Sequence, residues 1–365
     1  MRRAMIGLTL FWLSGCREPP TGAPTLPDIR AARGGGSGVS MRDLGALGGK
    51  SYTSEGWGLN TTRDPAAVQV VGISTATDGR RHGFVWNQST GMTDVGFLPG
   101  YDATVEAWAI SDNGIIVGRG LKNGGAAGFV KWPGDALTKL GSLSGSAYTG
   151  AVDITTDGAV ILGTSDGASA NNIVIWEGPG WTLDSIDTAP EVYGISDGGI
   201  IVGQAYTWGA ALWERGAEGW ARVDIGRGAG TGAQSKARDI NPTGTIIVGY
   251  LQDPYPGGRQ KAVFWKKGAD GVWGAMEVLQ DLPGLDPSSV TSVAWGANNA
   301  GDIVGQSGDA TGFNHAVSWR PSSGMYGLPV DLGSKAFAMK INGNRQVTGF
   351  ANVQGEHHAV LWTLP

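Results

Sequence analysis

The 365-residue sequence predicts an all-β fold, a seven-bladed β-propeller of four-stranded antiparallel blades. The first observation is a recurring motif in which a polar turn leads into a β-branched run and a closing glycine. Its clearest copy is Ser111–Gly118, with the sequence SDNGIIVG. Asp, Asn and Gly favour tight turns, whereas Val and Ile favour a half-buried sheet, so each copy predicts a hairpin turn entering a strand. The other copies end at Gly72, Gly163, Gly203, Gly249, Gly305 and Gly349.

The second observation is an apolar strand that ends with tryptophan and sets the length of the repeat. His82–Trp86 is one copy, and successive copies are spaced by about 37 to 54 residues. Periods near 40 to 50 residues with four strands each are typical of propeller blades. The longer spacings leave room for an eighth, degraded unit. The strands end at Trp86, Trp132, Trp176, Trp213, Trp265, Trp319 and Trp362.

Two further elements complete each blade. The strand before the polar turn alternates small and large residues, as in Ala107-Trp108-Ala109-Ile110. It is expected to be the innermost strand a, with its small residues near the axis and its large ones filling the gap to the next blade. The β-branched run is then strand b, the tryptophan strand is c, and a recurring Asp-Leu-Gly element is the outer strand d.

The order of these elements predicts how the ring closes. The first repeat element is a lone strand d, Arg42–Gly45, whereas the chain ends at Pro365 just after a strand c. A seventh blade assembled from both ends of residues 41–365 is therefore expected. Closure of this kind leaves no strand edge open to aggregation.

Strand c opens with a recurring tripeptide. Its copies are His82-Gly83-Phe84, Ala127-Gly128-Phe129, His315-Ala316-Val317 and His358-Ala359-Val360. These residues resemble the extracellular HAF repeat family, named for a His-Ala-Phe tripeptide. The family's Asp-Leu-Gly-x-Leu-Gly-Gly start is intact at Asp43–Gly49 and decayed at Leu140–Gly145, and blades three and four lack the histidine and a clean strand d. The resemblance, over about residues 41–365, implies an exported bacterial repeat protein with no established chemistry, and it supplies no catalytic residues.

The N-terminal sequence predicts that the protein is exported from the cytoplasm. A basic start is followed by the apolar run Ala4–Leu13, which is shorter than the roughly 20 residues of a membrane-spanning helix and matches a signal peptide. Leu13-Ser14-Gly15-Cys16 resembles the lipobox of bacterial lipoproteins, which predicts a signal peptide over 1–16 and lipid on Cys16. The alternative is that Cys16 is a passenger in an ordinary signal peptide. Residues 17–40, rich in Pro and Gly, predict a flexible tether to a propeller over 41–365.

We therefore expect an exported protein that is anchored through lipid on Cys16 to the bacterial outer membrane, facing the periplasm or the cell surface. Cys16 is the only cysteine, so no intramolecular disulfide and no thiolate metal site can form in the propeller. The net charge of -5 argues against a nucleic-acid partner. No metal or other cofactor is expected, and a monomer is predicted.

Charged residues in strand a are the first candidate site. Asp153, Asp239 and Lys340 occupy equivalent positions in blades three, five and seven, close to the expected axis. Propeller glycosidases and lyases use acids in a central funnel, so an enzyme of that kind is one reading. The other is that these groups pair with one another across a solvated channel, and no catalytic residue is assigned.

The loops between strands b and c are the second candidate site. They vary in length while the a–b turns stay similar, and function concentrates on variable loops held by a rigid scaffold. The candidate ligand-binding residues are Tyr206, Trp208, Tyr255, Arg259 and Phe313. Such side chains suit a surface glycan or an envelope protein, unless they fold back onto the blades. The sequence thus predicts a binding or interaction module, with a propeller enzyme or a purely structural envelope protein as alternatives.

Overall fold

The computed structural model describes residues 38–166, 171–228, 232–252, 259–283, 291–309, 313–322, 325–327 and 329–365. Their strands form seven four-stranded antiparallel sheets, which confirms the predicted seven-bladed β-propeller. The one helix of these residues is a short 3-10 turn, Pro65–Ala67, and no helix here is long and apolar enough to cross a membrane. The signal peptide with Cys16, residues 17–37 of the tether, and Tyr255 lie outside the described residues.

Strand β1 (Ser40–Asp43) precedes the first complete blade. Blade one contains β2 (Ser54–Leu59), β3 (Gln69–Thr75), β4 (Arg81–Asn87) and β5 (Gly91–Asp94). Blade two contains β6 (Thr104–Ile110), β7 (Ile116–Lys122), β8 (Gly125–Lys131) and β9 (Thr138–Lys139). Blade three contains β10 (Thr149–Ile154), β11 (Val160–Asp166), β12 (Asn171–Glu177) and β13 (Thr182–Thr188).

The second half of the ring repeats this order. Blade four contains β14 (Glu191–Ile195), β15 (Ile201–Gln204), β16 (Ala210–Gly216) and β17 (Gly219–Gly226). Blade five contains β18 (Gln234–Ile240), β19 (Ile246–Gln252), β20 (Gln260–Lys266) and β21 (Glu277–Val278). Blade six contains β22 (Ser292–Ala297), β23 (Ile303–Gly308), β24 (Asn314–Trp319) and β27 (Val330–Ser334), with a hairpin of β25 (Pro321–Ser322) and β26 (Met325–Tyr326) inserted between its last two strands.

Blade seven joins the two ends of the chain. It contains β28 (Ala336–Ile341), β29 (Gln346–Val353), β30 (Glu356–Thr363) and β1. Strand β1 pairs antiparallel with β30, from Ser40 opposite Thr363 to Asp43 opposite Val360. The predicted closure by the N-terminal strand is therefore confirmed.

Each strand a carries a β-bulge at the same position, opposite the glycine that closes the strand-b motif. In blade five, Ala237 pairs with Gly249 and Asp239 pairs with the next residue of strand b, so Arg238 is the extra residue. A Cβ on Gly249 would lie 1.8 Å from the Lys236 carbonyl oxygen, and a Cβ on any of the six equivalent glycines would lie within 2.3 Å of the corresponding carbonyl oxygen. The bulged strand can therefore approach strand b only where the side chain is absent. The extra residues are Trp57, Trp108, Val152, Tyr193, Arg238, Trp295 and Met339.

The polar turns between strands a and b join the blades into a belt of hydrogen bonds, which we call the turn belt. In two of the junctions a threonine donates through both its backbone N–H and its hydroxyl to an aspartate of the next turn. Thr61 contacts Asp112 in this way at 2.6 and 2.8 Å, and Thr156 contacts Asp197 at 2.8 Å for both bonds. The other five junctions are Asp112 N to Thr156 O, Asp197 N to Pro242 O, Thr243 N to Asn299 Oδ1, Asn298 Nδ2 to Asn342 O, and Asn342 Nδ2 to Asn60 O.

A second set of contacts, which we call the tryptophan belt, joins the blades farther from the axis. In five blades the buried tryptophan of strand c donates its indole N–H to strand d of the preceding blade or to a residue just after it. Trp265 bonds to the Ile225 carbonyl at 2.8 Å and Trp319 bonds to the Gln280 carbonyl at 2.7 Å. Trp176 and Trp362 bond in the same way to the carbonyls of Gly141 and Leu332, whereas Trp213 donates to the side-chain carboxylate of Asp187. The apolar core accordingly lies between blades, as where Val202 and Leu212 pack with Ala237 and Ile247.

The assignment of Trp132 to this set is wrong. In blade two, Ile116 pairs with Lys131, so Lys131 occupies the position that tryptophan holds in the other blades. Trp132 follows the end of the strand and packs against Trp181, with 5.8 Å between ring centroids. The sequence pattern could not show this shift of one residue, because the register depends on the partner strand.

We expect Gly249→Ala to destabilise the propeller by about 3 kcal/mol, because the new methyl group meets a backbone carbonyl that cannot move without breaking the a–b hairpin. Gly343→Ala is the matched control, because nothing lies within 4 Å of its Cβ position. Denaturant unfolding of the two variants measures the difference. Equal stability of both would show that the bulge does not need a glycine opposite it.

Candidate functional site

The bulges direct large side chains toward the axis of the ring. The guanidinium carbon of Arg238, in blade five, lies 4.1 Å from the ring centroid of Tyr193 in blade four and 4.8 Å from that of Trp295 in blade six. A side chain on one face of a blade can contact only one neighbouring blade. Arg238 must therefore leave the inner edge of its blade, where the three blades converge.

The large residues of strand a were expected to fill the gap to the next blade. Trp108 does so, because its buried ring lies against Gly150 of blade three. Arg238 instead lies at the inner edge of its blade and contacts both neighbouring blades. We call the five bulged residues with the largest side chains the aromatic layer: Trp57, Trp108, Tyr193, Arg238 and Trp295. Within it, Arg238 contacts the rings of Tyr193 and Trp295. The signal in the sequence is the large residue in the middle of strand a in five of the seven blades, three of them tryptophan, one tyrosine and one arginine.

Paired charges accompany the aromatic layer. Trp57 donates its indole N–H to Glu55 at 3.1 Å. Arg119 forms an ion pair with Glu106 at 2.7 Å, and its guanidinium carbon lies 4.7 Å from the centroid of Trp108. Glu191 contacts both the Tyr193 hydroxyl and the Lys236 ammonium group. These pairs stand two residues before the bulges, on the side of the ring that carries the b–c and d–a loops.

Two donor atoms of the aromatic layer are buried without a hydrogen-bond partner in the described structure, Trp108 Nε1 and Arg238 Nε. Buried polar atoms are normally satisfied, so each such atom requires an explanation. Trp108 is 8% exposed, whereas Trp57, Tyr193, Arg238 and Trp295 are half-buried. The layer thus combines accessible ring surface with unused hydrogen-bonding capacity, which is typical of ligand sites.

A charged layer lies one residue farther along strand a, toward the a–b turns. Here the structure brings the three predicted channel residues together. Lys340 Nζ lies 2.5 Å from Asp239 Oδ1, although blade six stands between their blades. Gly296 occupies the equivalent position of blade six, and the absence of a side chain there leaves room for the pair.

The carboxylates of the charged layer also bond to backbone N–H groups of the next blade. Asp153 Oδ2 accepts from Ile195 N at 3.0 Å, and Asp239 Oδ2 accepts from Ala297 N at 3.2 Å. Burial raises the pKa of Asp153 to about 6, and the attraction of Lys340 only partly opposes this rise. For Lys340, burial disfavours the charged form, but the carboxylates of Asp239 and Asp153 outweigh it and raise the pKa. Lys340 is therefore an ammonium ion at neutral pH.

The predicted loop residues are spread over three blades. Tyr206 and Trp208, in the b–c hairpin of blade four, are 44% and 51% exposed, and Trp208 has a φ of 64°. Arg259 of blade five is exposed. Phe313 of blade six is half-buried under Lys335, whose ammonium nitrogen lies 4.5 Å from the ring centroid. Phe313 therefore packs partly onto its own blade, whereas Tyr206 and Trp208 are free to meet a ligand.

The recurring histidines tie strand c to strand d. His82 Nδ1 lies 2.6 Å from Asp94, and His315 and His358 make the same contact with Asp331 and Asp43, each at 2.9 Å. The hydrogen bonds that the imidazoles donate to Asp331 and Asp43 raise the pKa of His315 and of His358. In the described part of the chain, no group of three or more His, Cys, Asp or Glu residues is arranged to hold a metal ion.

Solved structures similar to this chain are propellers. A catalytically inactive virginiamycin B lyase from Staphylococcus aureus with quinupristin matches with a TM-score of 0.54 and 10% identity, over 90% of this chain and 100% of that one. The β-propeller domain of the Trilobed protease from Pyrococcus furiosus matches with a TM-score of 0.54 and 11% identity, over 85% and 93%. TolB from Acinetobacter baumannii matches with a TM-score of 0.47 and 11% identity, over 72% of this chain and 63% of its own length.

At such identities these similarities show the fold alone. No protein-family model matches the sequence, and no curated protein matches it. The chemistry of the site therefore has to be argued from the residues of this chain.

We expect Asp153→Asn to stabilise the protein at neutral pH. The raised pKa means that the folded state binds the Asp153 proton more tightly than the unfolded state, whose pKa is near 3.8. Stability from this group is therefore complete below pH 4 and is lost as the pH rises through about 6. The variant should be more stable by up to about 3 kcal/mol at pH 7 and no different at pH 3.5.

Thermal unfolding across pH 3.5 to 8 measures this difference. The control is Asp184→Asn, which neutralises an exposed carboxylate on the outer strand of the same blade. A variant at Asp153 that loses stability at pH 7 would mean that the carboxylate is needed in its charged form.

Proposed function

We propose that this protein is an exported, lipid-anchored β-propeller that binds a ligand of the cell envelope, a surface glycan or a protein, at the loop side of its central channel. The observation that carries the proposal is the aromatic layer. Half-buried ring faces stand beside carboxylates and unpaired N–H donors, and ligand sites combine apolar surface with a few placed polar groups in this way.

The two sides of the ring differ in a manner that supports binding on the loop side. The a–b side is fixed by the turn belt, which occupies the carboxylates of Asp112 and Asp197 with hydrogen bonds. The opposite side carries b–c connections of unequal length, from two residues between β7 and β8 to seven residues between β19 and β20. Tyr206 and Trp208 would extend the binding surface outward from the channel.

The proposed localisation is supported by the sequence. The basic start, the apolar run and the lipobox-like Leu13–Cys16 support export and lipidation of Cys16. The resemblance of strand c and of Asp43–Gly49 to HAF repeats supports membership of that exported family. In this proposal residues 17–40 hold the propeller away from the membrane, and the outer membrane is the site of anchoring.

An enzyme of the glycosidase or lyase kind is the second candidate. It is favoured by Asp153, because a carboxyl group with a pKa of about 6 is suited to proton transfer near neutral pH. The hydrogen bonds that fix Asp153 and Asp239 to the neighbouring blades, and the ion pair with Lys340, favour a structural role instead. The named lyase and the protease domain share only the fold with this chain.

Ligand binding is tested by thermal unfolding of the full-length chain with a panel of glycans and envelope peptides. A ligand at about 100 times its dissociation constant adds roughly 2.7 kcal/mol to stability, so one class should raise the midpoint. Trp57→Ala should weaken that ligand at least tenfold, because it removes a ring of the aromatic layer. Trp208→Ala is the comparison at the exposed loop.

The outcomes separate the candidate functions. Loss of binding in the Trp208 variant alone would move the site to the blade-four loop. Cleavage of a bound glycan that stops in the Asp153→Asn variant would support the enzyme. A midpoint that no member of the panel changes would contradict a binding function for these ligands and favour the purely structural role.

The anchor is tested separately, by expressing Cys16→Ser in a bacterium that processes lipoproteins. We expect the variant to move from the membrane fraction to the soluble fraction, because it lacks the thiol that receives lipid. Ser37→Ala in the tether is the control and should remain with the membranes. A Cys16→Ser protein that still sediments with membranes would refute the lipid anchor.

A further inference from the structure

Arg238 is a cation near the axis of the ring that forms no direct ion pair with any carboxylate of the described residues. Its guanidinium group lies among three aromatic rings, with centroid distances of 4.1 Å to Tyr193, 5.4 Å to Tyr250 and 4.8 Å to Trp295. It hydrogen-bonds to Tyr250 and is attracted by the charge of Glu191, but its Nε is buried without a hydrogen-bond partner among the described residues. Cation–π attraction offsets only part of the cost of removing a charge from water.

The other cations around the channel are already paired. Arg119 binds Glu106, Lys236 binds Glu191, and Lys340 binds Asp239. Glu191 is the carboxylate nearest in sequence to the aromatic partner Tyr193, but it is held by the Tyr193 hydroxyl and by Lys236. Arg238 is thus the charge of this layer that an incoming anion can neutralise.

We propose that the ligand of the aromatic layer is an acidic glycan, whose uronate carboxylate binds Arg238 while its sugar rings lie against Tyr193 and Trp295. This inference rests on the proposed binding function and names the class of ligand. A guanidinium group presents parallel N–H donors that match a carboxylate, and stacking on aromatic rings fixes the plane of those donors.

The depth of the site follows from the charged layer. Asp153 and Asp239 lie one position beyond the bulges, with one lysine between them. A carboxylate that moved past Arg238 would approach these acids, so the anion stops at the aromatic layer. The carboxylate of Glu191, beside Tyr193, can then accept hydrogen bonds from the sugar hydroxyls.

The backbone favours a glycan over an extended peptide. A peptide ligand that adds to a sheet needs a regular, unpaired strand edge. In all seven described blades the inner strand is interrupted by a bulge at the level of the aromatic layer, and the bulged residues cover that edge with large side chains. Ring faces and a guanidinium group are what remains for a ligand to contact.

The test compares trigalacturonic acid with its methyl ester, two probes that differ in the carboxylate charge. Binding to the full-length chain is measured by tryptophan fluorescence and by thermal shift. We expect the acid to bind at least tenfold more tightly than the ester. Arg238→Gln should weaken the acid about 10- to 100-fold and leave the ester unchanged, because one charge-assisted contact is lost. Arg238→Lys keeps the charge without the planar donors, so its affinity for the acid should lie between those of the parent and Arg238→Gln.

Arg222→Gln, at an exposed arginine on the outer strand of blade four, is the matched control and should bind both probes as the parent does. Equal binding of acid and ester by the parent would overturn the inference and leave a binding function intact. Binding of neither probe would overturn it as well, and would also count against glycan binding. Inorganic phosphate that competes as well as the acid would reveal a general anion site and refute the assignment to glycans.

Folding of the variants is checked first by their thermal midpoints. If Arg238→Gln does not fold, two other measurements still test the inference. They are the preference of the parent protein for the acid over the ester and the affinity of Arg238→Lys for the acid. A parent without that preference, or a lysine variant that binds the acid as tightly as arginine does, would be evidence against recognition by the guanidinium group.

Discussion

The missing Cβ of one glycine in each blade is the constraint on which this propeller depends. At Gly249 and its six equivalents, a carbonyl oxygen of strand a lies within 2.3 Å of the position that a Cβ atom would occupy. That approach permits the bulge, and the bulge turns a large residue toward the axis. The content of the channel therefore follows from a backbone requirement in the neighbouring strand.

Two belts of hydrogen bonds hold the blades at different distances from the axis. The turn belt lies at the ends of strands a and b, and the tryptophan belt lies near strands c and d. The apolar core fills the space between them. Because both belts hold neighbouring blades together, the side of the ring opposite the a–b turns can carry variable loops and unpaired polar groups. These loops and groups do not contribute to the contacts between blades.

The sequence predicted the elements of the blade better than their register. Polar turns, β-branched runs and tryptophans recur at recognisable intervals, so the blades and the closure by Arg42–Gly45 could be deduced from local chemistry. A bulge, however, is defined by one extra residue relative to a partner strand. Ala107-Trp108-Ala109 therefore looked like a plain alternating strand, and Trp132 looked like a member of the tryptophan set.

The candidate site shows the same division. Asp153, Asp239 and Lys340 could be placed near the axis because they recur at one position of strand a, and the structure brings them together. The aromatic layer could not be assigned to the channel, because its direction is set by the bulge. Phe313 was grouped with the exposed loop residues, and only the contact with Lys335 shows that it packs on its own blade.

The closure of blade seven also determines how the molecule responds to mechanical load. Any tension that reaches the propeller through its N-terminal segment enters at Ser40, the first residue of β1. The four-residue ladder to β30, the contact between Asp43 and His358, and the packing of Val39 and Met41 against the core of blade seven resist it. The pairing that completes the ring is thus also the first contact to break under tension. A pull on this end would detach the outer strand of blade seven and leave the sheets of the other six blades intact.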